Sequence, residues 1–393
     1  MISYTDPDGK IWQYGYDNHK MTTLTNPLGI ITATNTYDAL DKVDTQTVPR
    51  QSGIPATYNF YFSGYRNVEQ DPDGNQIIYY FNSKGDHVAN ENALGNMTRK
   101  VFDGQNHVVK TIDPLGNETD FLYNKDYNLD KITNALLKET TFVYDTQFRL
   151  TDNIDPLSHT QHFDYDIKHH LEKTTIYPEN GKEIYNSSTY YATTGFLNTS
   201  TDGRGAVTTF AAYDLGIPET ISTNTHPAIT YDYDTIGQIK SLTDQENALT
   251  AFNVYNHRGL LTEKTDPLIK KTFFTYHDDG KLNTLKDRNN DTTTFIYTPS
   301  GKIDTITYQD TSTVSFVYDQ LDNLTAMNDT TGTTSYGYDS VNRIEQLTDS
   351  NGFVVSYQYD DAGNLGQITY PGTGKTVTYT YDDSTFGFNK YGT

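Results

Sequence analysis

The sequence predicts an all-β chain: a repetitive antiparallel β-hairpin ribbon of about 18 units, coiled into a spiral shell or part of one. Three observations predict it. Aromatic anchors recur at an almost constant interval along all 393 residues. Turn-forming residues recur at two fixed offsets from each anchor. Between the turns, apolar and Thr-rich stretches alternate with the period of two that places alternate side chains on one face of a strand.

The anchors are Tyr16, Tyr37, Phe60, Phe81, Phe102, Tyr123, Tyr144, Tyr165, Tyr191, Tyr213, Tyr233, Tyr255, Tyr276, Tyr297, Tyr318, Tyr338, Tyr359 and Tyr381. Ten of the 17 spacings are 21 residues, and the others lie between 20 and 23 except the 26 from Tyr165 to Tyr191. Two positions before the anchor, 13 of the 18 units carry another aromatic, as in Phe295-Ile296-Tyr297 and Phe316-Val317-Tyr318. Both rings of such a pair are expected on the same, less exposed face.

Four positions after the anchor stands Gly in eight units (Gly64 and Gly301 among them) and Asp or Asn in four (Asp41, Asn106, Asp322, Asn342). These residues tolerate positive φ and mark a tight turn. Two positions later, 13 units have Leu, Ile or Val, which opens the return strand. Eleven positions after the anchor, 12 units have Asp or Asn, several continuing as Asp-Pro-x-Gly (Asp71 to Gly74, Asp113 to Gly116). Each unit is therefore two short strands and two turns, and connections this short make neighbouring strands antiparallel. Leu129 to Thr140 has some helical character but keeps the register, so it too is expected as strand and turn. The whole of residues 1–393 reads as one array, with lengthened turns near 48–57 and 172–190.

Composition limits how such a chain can fold. Leu, Ile, Val and Phe number 83, about 21%, and the formal net charge is −22. That is close to the range of disordered chains, yet 33 Tyr and a 13% aromatic content belong to a folded one. Tyrosine must supply much of the buried surface, and a wall is expected rather than a solid core. About 36 strands at roughly 4.8 Å would span roughly 170 Å, far beyond what a twisted open sheet sustains, so the ribbon must coil.

The unit Tyr-Asp-x-x-Gly-x-Leu followed by Asp-Pro-x-Gly resembles the YD repeat of Rhs proteins, the C component of insecticidal toxin complexes, bacterial wall-associated proteins and the teneurins. Tyr191 to Leu197, Tyr297 to Ile303 and Tyr359 to Leu365 carry the resemblance, which recurs in register over essentially the whole chain. It implies a β-ribbon spiralling into a hollow shell, enclosing a toxic domain in the bacterial toxins and serving adhesion in teneurins. It further implies a structural rather than enzymatic role, an enclosed polypeptide or further shell segments as partners, and a secreted or cell-surface location. Met1 to Asp6 lack the basic and apolar regions of a signal peptide. After Tyr381 no segment of different composition follows, and nothing matches the family's closing segment with its self-cleaving aspartates. The chain is accordingly expected to be an internal portion of a shell or a short repeat-only relative.

Other chemistry finds little support. With 51 acidic and 29 basic residues and no Lys/Arg run, a nucleic-acid footprint is absent, and no stretch approaches a membrane span. Cysteine is absent. Asp6-Pro7-Asp8-Gly9 and Asp71-Pro72-Asp73-Gly74 lack the ligand spacing of a calcium loop. His159 and His162, with His169/His170 and the nearby Asp155, Asp164 and Asp166, are weighed as metal ligands, but in a strand 159 and 162 face opposite sides. No catalytic residue, cofactor or metal site is predicted. The alternative to a shell is an adhesion module whose aromatic rows bind glycan, while the rings themselves are expected to pack against one another across strands. Met1 to Lys10 and Asp382 to Thr393 are expected to be poorly ordered or covered by another chain, and association through uncapped β edges is expected to grow as salt screens the charge.

Overall fold

The computed structural model describes residues 2–177, 183–372 and 375–381. Among them the chain forms a single sheet of 36 strands, from β1 (Ile2–Thr5) to β36 (Thr376–Thr378), with no helix. Every strand pairs antiparallel with the next in sequence, and no other strand pairs closely. Leu129 to Thr140 is strand and turn, as expected: β13 (Leu129–Thr133) turns through Asn134–Lys138 into β14 (Glu139–Tyr144). Residues 178–182 and Asp382–Thr393 lie outside the described residues; the rest of the expected long turn of 172–190 is strand instead, β17 (Leu171–Tyr177) pairing with β18 (Ile184–Tyr190) from Lys173↔Ser187 to Ile176↔Ile184, because the added residues lengthen the hairpin's two arms.

One unit shows how the ribbon is built. β14 meets β15 (Leu150–Ile154) in the register Thr141↔Ile154, Phe142↔Asn153, Val143↔Asp152 and Tyr144↔Leu150, the skipped Thr151 being a β-bulge. The Thr151 hydroxyl donates to the Val143 carbonyl at 3.2 Å. On the other side β15 meets β16 (Thr160–Tyr165) through only three pairs, Asp152↔His162 to Ile154↔Thr160. Beyond Asp152 these two strands splay apart at the anchor-turn edge.

The two turns of a unit share one chemistry. In Asp145–Arg149, the Asp145 N–H donates to the Arg149 carbonyl and the Phe148 N–H to the Asp145 carbonyl. The Asp145 carboxylate accepts the N–H groups of Gln147 (2.8 Å) and Arg149 (3.0 Å). Asp155–His159 repeats the pattern, and Asn performs the same role at Asn124, Asn134 and Asn256. This is a type I turn closed by one left-handed residue, the standard three-residue hairpin. All twelve Gly, Asp and Asn residues expected to tolerate positive φ adopt it. So do Tyr127, Leu137, Phe148, Ile269 and Thr311, where a bulky side chain makes that conformation costly. The capped turn overrides local preference.

Alternate residues differ in exposure as the pattern predicts: Phe295 and Tyr297 are half-buried while Ile296 between them is exposed, and Phe316, Val317 and Tyr318 repeat this. Buried apolar side chains are otherwise few; among the described residues they are Ala56, Val68 and Ala89. The sheet is a wall one layer thick.

The wall closes on itself in a coil. The turn between β1 and β2 (Ile11–Asp17) meets the turn between β24 (Leu249–Tyr255) and β25 (Leu261–Thr265). The turn between β5 (Val43–Val48) and β6 (Ala56–Ser63) meets that between β30 (Thr313–Tyr318) and β31 (Leu324–Asp329). One circuit thus takes roughly two dozen strands. It also corrects the expectation for the N-terminus: Asp6–Lys10 is covered by this chain's own later turns rather than left loose or given to another chain. The geometric reason is the coil, which brings residues 249 to 270 apart in sequence into contact.

Ile269→Gly should stabilise the protein by about 1 kcal/mol. It removes left-handed strain of roughly 1–2 kcal/mol from a β-branched residue at φ 62°, against roughly 0.5–1 kcal/mol for glycine's freedom in the unfolded chain. The urea midpoint should rise; an unchanged or lower midpoint would show that the turn holds no such strain.

Candidate functional site

Two features of the wall concern function: the aromatic row along its less exposed face, and the seam where successive circuits meet.

The row begins with the splayed strands. The carbonyl of Leu150, beyond the last ladder pair of β15 with β16, accepts the phenol of Tyr165 at 2.9 Å. The same bond, from each anchor phenol to the carbonyl that opens the preceding unit's return strand, is made by Tyr123, Tyr144, Tyr255, Tyr276, Tyr318, Tyr338, Tyr359 and Tyr381 at 2.6–3.1 Å. Tyr37, Tyr213 and Tyr233 reach a carbonyl in the corresponding stretch. Burial pushes the phenols of Tyr144, Tyr276 and Tyr318 above the ordinary tyrosine value. The hydroxyl explains why most anchors are Tyr rather than Phe, a role that periodicity alone does not reveal.

The rings are covered in a way the sequence reading did not anticipate. Neighbouring anchors stand two strands apart, roughly 10 Å, beyond the 4.5–7 Å of ring contact. The last residue of the preceding anchor turn fills the interval instead. Arg149 lies 4.7 Å over Tyr165, Arg343 4.4 Å over Tyr359, and His107 stacks on Tyr123 at 4.8 Å. The same residues brace the turn, for Arg149 Nε donates to Asp145 Oδ2 at 2.7 Å and Arg343 Nε to Asp339 Oδ2 at 2.7 Å. Rings packing directly on one another, as at Tyr191–Tyr213, are the lesser pattern.

These criteria move one anchor. Tyr190, not Tyr191, pairs with Leu197, donates its phenol to the Leu171 carbonyl at 2.7 Å, and stacks on His170 at 4.5 Å. Tyr191 opens the following turn, which is one residue longer than Asp145–Arg149 and closes from Tyr191 N–H to the Phe196 carbonyl. With two adjacent tyrosines, spacing could not choose between them; the His five residues after Tyr165 was the available signal. Phe60 also departs, lying in a hairpin without a bulge that turns directly from Ser63 to Arg66. Phe81 and Phe102 keep the bulge but have no hydroxyl to donate.

Of the four histidines weighed as ligands, His169 stands 3.2 Å from the Arg149 guanidinium and the other three pair with carboxylates. His159 bonds Asp155 and His170 bonds Asp166, each at 2.8 Å, bracing their turns. His162 lies between Asp152 (2.6 Å) and Asp164 (3.2 Å). Its hydrogen bond to Asp152 holds the imidazole above its ordinary pKa, against the opposing effect of burial.

At the seam, the Asp6–Gly9 turn and the lengthened turn of 49–55, on the same edge of one circuit, seat on anchor turns of the next. The buried Arg50 donates to the Gln320 carbonyl at 2.7 Å and lies 3.4 Å from Asp322. Gln51 acts as a short piece of strand: its amide donates to the Phe316 carbonyl at 2.7 Å and accepts the Tyr318 N–H at 3.0 Å, in the gap left by the splay. It also donates to Asp304, the bulge residue of its unit. Farther along, Asp8 takes Arg258 Nε at 2.8 Å and the His257 N–H at 3.0 Å, and Lys10 meets Asp278 at 2.6 Å. Arg258 pulls the Asp8 carboxyl below its usual range although burial works the other way.

Comparison with known proteins agrees with this geometry. Residues 217–385 match the family model "Teneurin YD-shell" and residues 1–31 match "RHS Repeat". The chain is a YD-repeat protein. No curated protein matches it. Among solved structures, the YD-repeat ribbon is similar to a chain in the crystal structure of TcdB2-TccC3-TEV (TM-score 0.79, 14% identity, covering 95% of this chain and 24% of that one). It is similar also to chains in TcdB2-TccC3-Cdc42 (TM-score 0.78, 15% identity, 93% and 24%) and in the Tc holotoxin pore of Photorhabdus luminescens (TM-score 0.76, 15% identity, 94% and 24%). This YD-repeat chain spans about a quarter of the length of the solved chains it matches. At such identity the likeness concerns the fold.

Two outcomes test the site. Tyr144→Phe should leave the Leu129 carbonyl without its donor and cost about 1 kcal/mol, seen as roughly fivefold faster hydrogen exchange in β13 to β15; unchanged exchange would deny the phenol that role. His162 should titrate above the ordinary value of about 6.5, so the stability it lends is fully present below that pH and is lost as pH rises through its higher folded value. Asp152→Asn should bring its imidazole NMR titration down, and a wild-type midpoint at or below the ordinary value would contradict the pairing.

Proposed function

We propose that this chain is a wall segment of a YD-repeat shell that encloses a polypeptide, working outside the cytoplasm and without catalysis of its own. The observation that carries the reading is the seam. A ribbon that returns to seat one edge on the other after each circuit surrounds a space, whereas an adhesion module needs only an exposed face. Curvature crowds the concave side of a one-layer wall, so the half-buried aromatic row is assigned to the inside and the exposed positions beside the anchors to the outside. A glycan reading would need free phenols and open ring faces. Here phenols are engaged by carbonyls and rings by Arg, Lys or His. The fold likeness to the TcdB2-TccC3 structures supports a shell wall without defining its contents.

A photo-crosslinking aromatic placed at position 295 or at position 296 distinguishes the two faces. With a reduced, alkylated unfolded polypeptide as the probe, crosslinks are expected from 295 and not from 296. Loosening the seam with Arg50→Ala and Arg258→Ala together should expose crosslinked probe to added protease. Crosslinking from 296 alone, or from neither position, would refute an inner aromatic face that holds polypeptide.

A further inference from the structure

Gln51 shows what the gap beside an anchor can hold. Its carboxamide donates to the bulge residue Asp304 at 2.6 Å and to the Phe316 carbonyl at 2.7 Å, and accepts the Tyr318 N–H at 3.0 Å. The same frame recurs around Asp130. The pairs Tyr123↔Leu129 and Leu122↔Lys131 skip Asp130, as Tyr297↔Ile303 and Ile296↔Thr305 skip Asp304. The ladder to the next unit stops at Lys131↔Thr141 in one and at Thr305↔Ser315 in the other. Tyr144 sends its phenol to the Leu129 carbonyl and Tyr318 to the Ile303 carbonyl, both at 2.9 Å. In this register the Phe142 carbonyl and the Tyr144 N–H face the gap, as those of Phe316 and Tyr318 do. Burial first, and then the nearby Asp130, raises the Tyr144 phenol above its ordinary value; on Tyr318 burial, Asp322 and Asp304 act in that order. Where the bulge residue is Thr151, Thr262 or Thr325, its hydroxyl donates to a carbonyl of its own hairpin. An ionised Asp cannot do so and remains an acceptor. Beside Tyr144 the gap is a cavity of about 270 Å³, lined by Asp130, Phe142, Tyr144, Asn128 and Phe148 among others. Among the described residues no donor reaches Asp130, and Asn128 Nδ2 is buried without a hydrogen-bond partner.

We propose that Asp130, the Phe142 carbonyl and the Tyr144 N–H form a second binding site for a primary carboxamide, the group carried by glutamine and asparagine. The site offers two acceptors and a donor, and a primary carboxamide answers them with two N–H donors and an acceptor in one planar group. A carboxylate brings no donor for Asp130. An ammonium or guanidinium brings no acceptor for the Tyr144 N–H, and a secondary amide has only one N–H. The Asn128 amide adds a donor for the second lone pair of the bound oxygen. Leaving such buried groups without partners is costly, so an occupant that satisfies them together is selected over one that satisfies half. The neighbouring residue differs from the seam. Phe148 stands where Asp322 receives Arg50, so the group beside the carboxamide is apolar here rather than basic. The site is read from the gap alone and holds whatever the wall encloses and whichever segment supplies the amide.

Nuclear magnetic resonance of the full chain reads the result. With valine labelled at the carbonyl carbon and tyrosine at nitrogen, only the three Val-Tyr amides give signals, those of Tyr144, Tyr255 and Tyr318. Val143→Ile removes the first and so identifies it. Propionamide should shift the Tyr144 signal saturably. It should leave Tyr318, whose N–H Gln51 already engages, and Tyr255, whose gap has Lys240 at the bulge, in place. Propionate and N,N-dimethylpropionamide should move none of the three. Asp130→Ala should weaken propionamide about tenfold or more, with unchanged Tyr255 and Tyr318 signals showing the wall intact. N-acetyl-leucyl-glutamine N-methylamide decides the source: tighter binding than propionamide assigns the site to a polypeptide glutamine, and no gain assigns it to a small free amide. A Tyr144 signal that ignores propionamide, answers propionate or the dimethyl amide equally, or keeps its response in Asp130→Ala would overturn the proposal.

Discussion

Everything in this molecule depends on one local interaction, an Asp or Asn side chain that accepts two backbone N–H groups of its own turn. In an ordinary domain a hydrophobic core holds the strands and turns follow. Here buried apolar side chains are few, and the turn is what specifies the register. Because the cap satisfies the amides at the second and fourth following positions, it sets loop length, and loop length sets which residues pair across the hairpin. Turns this constrained also tolerate Ile, Leu or Phe in a left-handed position that their side chains disfavour.

Several caps are tied to the next unit. The carboxylate holds the side chain at the turn's last position, as Asp145 holds Arg149, and that side chain covers the following anchor ring. The anchor in turn sends its phenol back to a carbonyl of the preceding unit. Repeat therefore binds repeat through polar contacts and half-buried rings, in the nearest-neighbour manner of solenoid proteins. Individual surface ion pairs and cation–π contacts contribute little, about 0.5–1 kcal/mol each. Their number along the ribbon makes up for the missing core.

The bulge links this local chemistry to the shell. By skipping one residue beside most anchors, as at Tyr144, it ends the ladder between units after three pairs and opens a gap at the anchor edge. Within the ribbon a phenol bridges the gap; at the seam, Gln51 of the next circuit enters beside Phe316 and Tyr318. Strand splay is thus also what lets circuits register against each other.

The sequence by itself determined the period, the antiparallel ribbon, the turn positions and the face of the aromatic pairs, because each rests on contacts within about 21 residues. It also determined Tyr144 and Tyr318 as anchors, though not that their hydroxyls matter, since a ring and a phenol obey the same periodicity. Tyr190 and Tyr191 marked the limit of spacing: one inserted turn residue shifts the anchor, and only pairing to Leu197 and stacking on His170 decide which tyrosine serves. What the tertiary structure alone decided is the seam. Arg50 with Asp322 and Asp8 with Arg258 are separated by about a dozen units, and no local pattern marks them as partners. Their meeting depends on the twist and curvature summed over two dozen strands, a quantity to which every residue adds a little and which no single residue encodes.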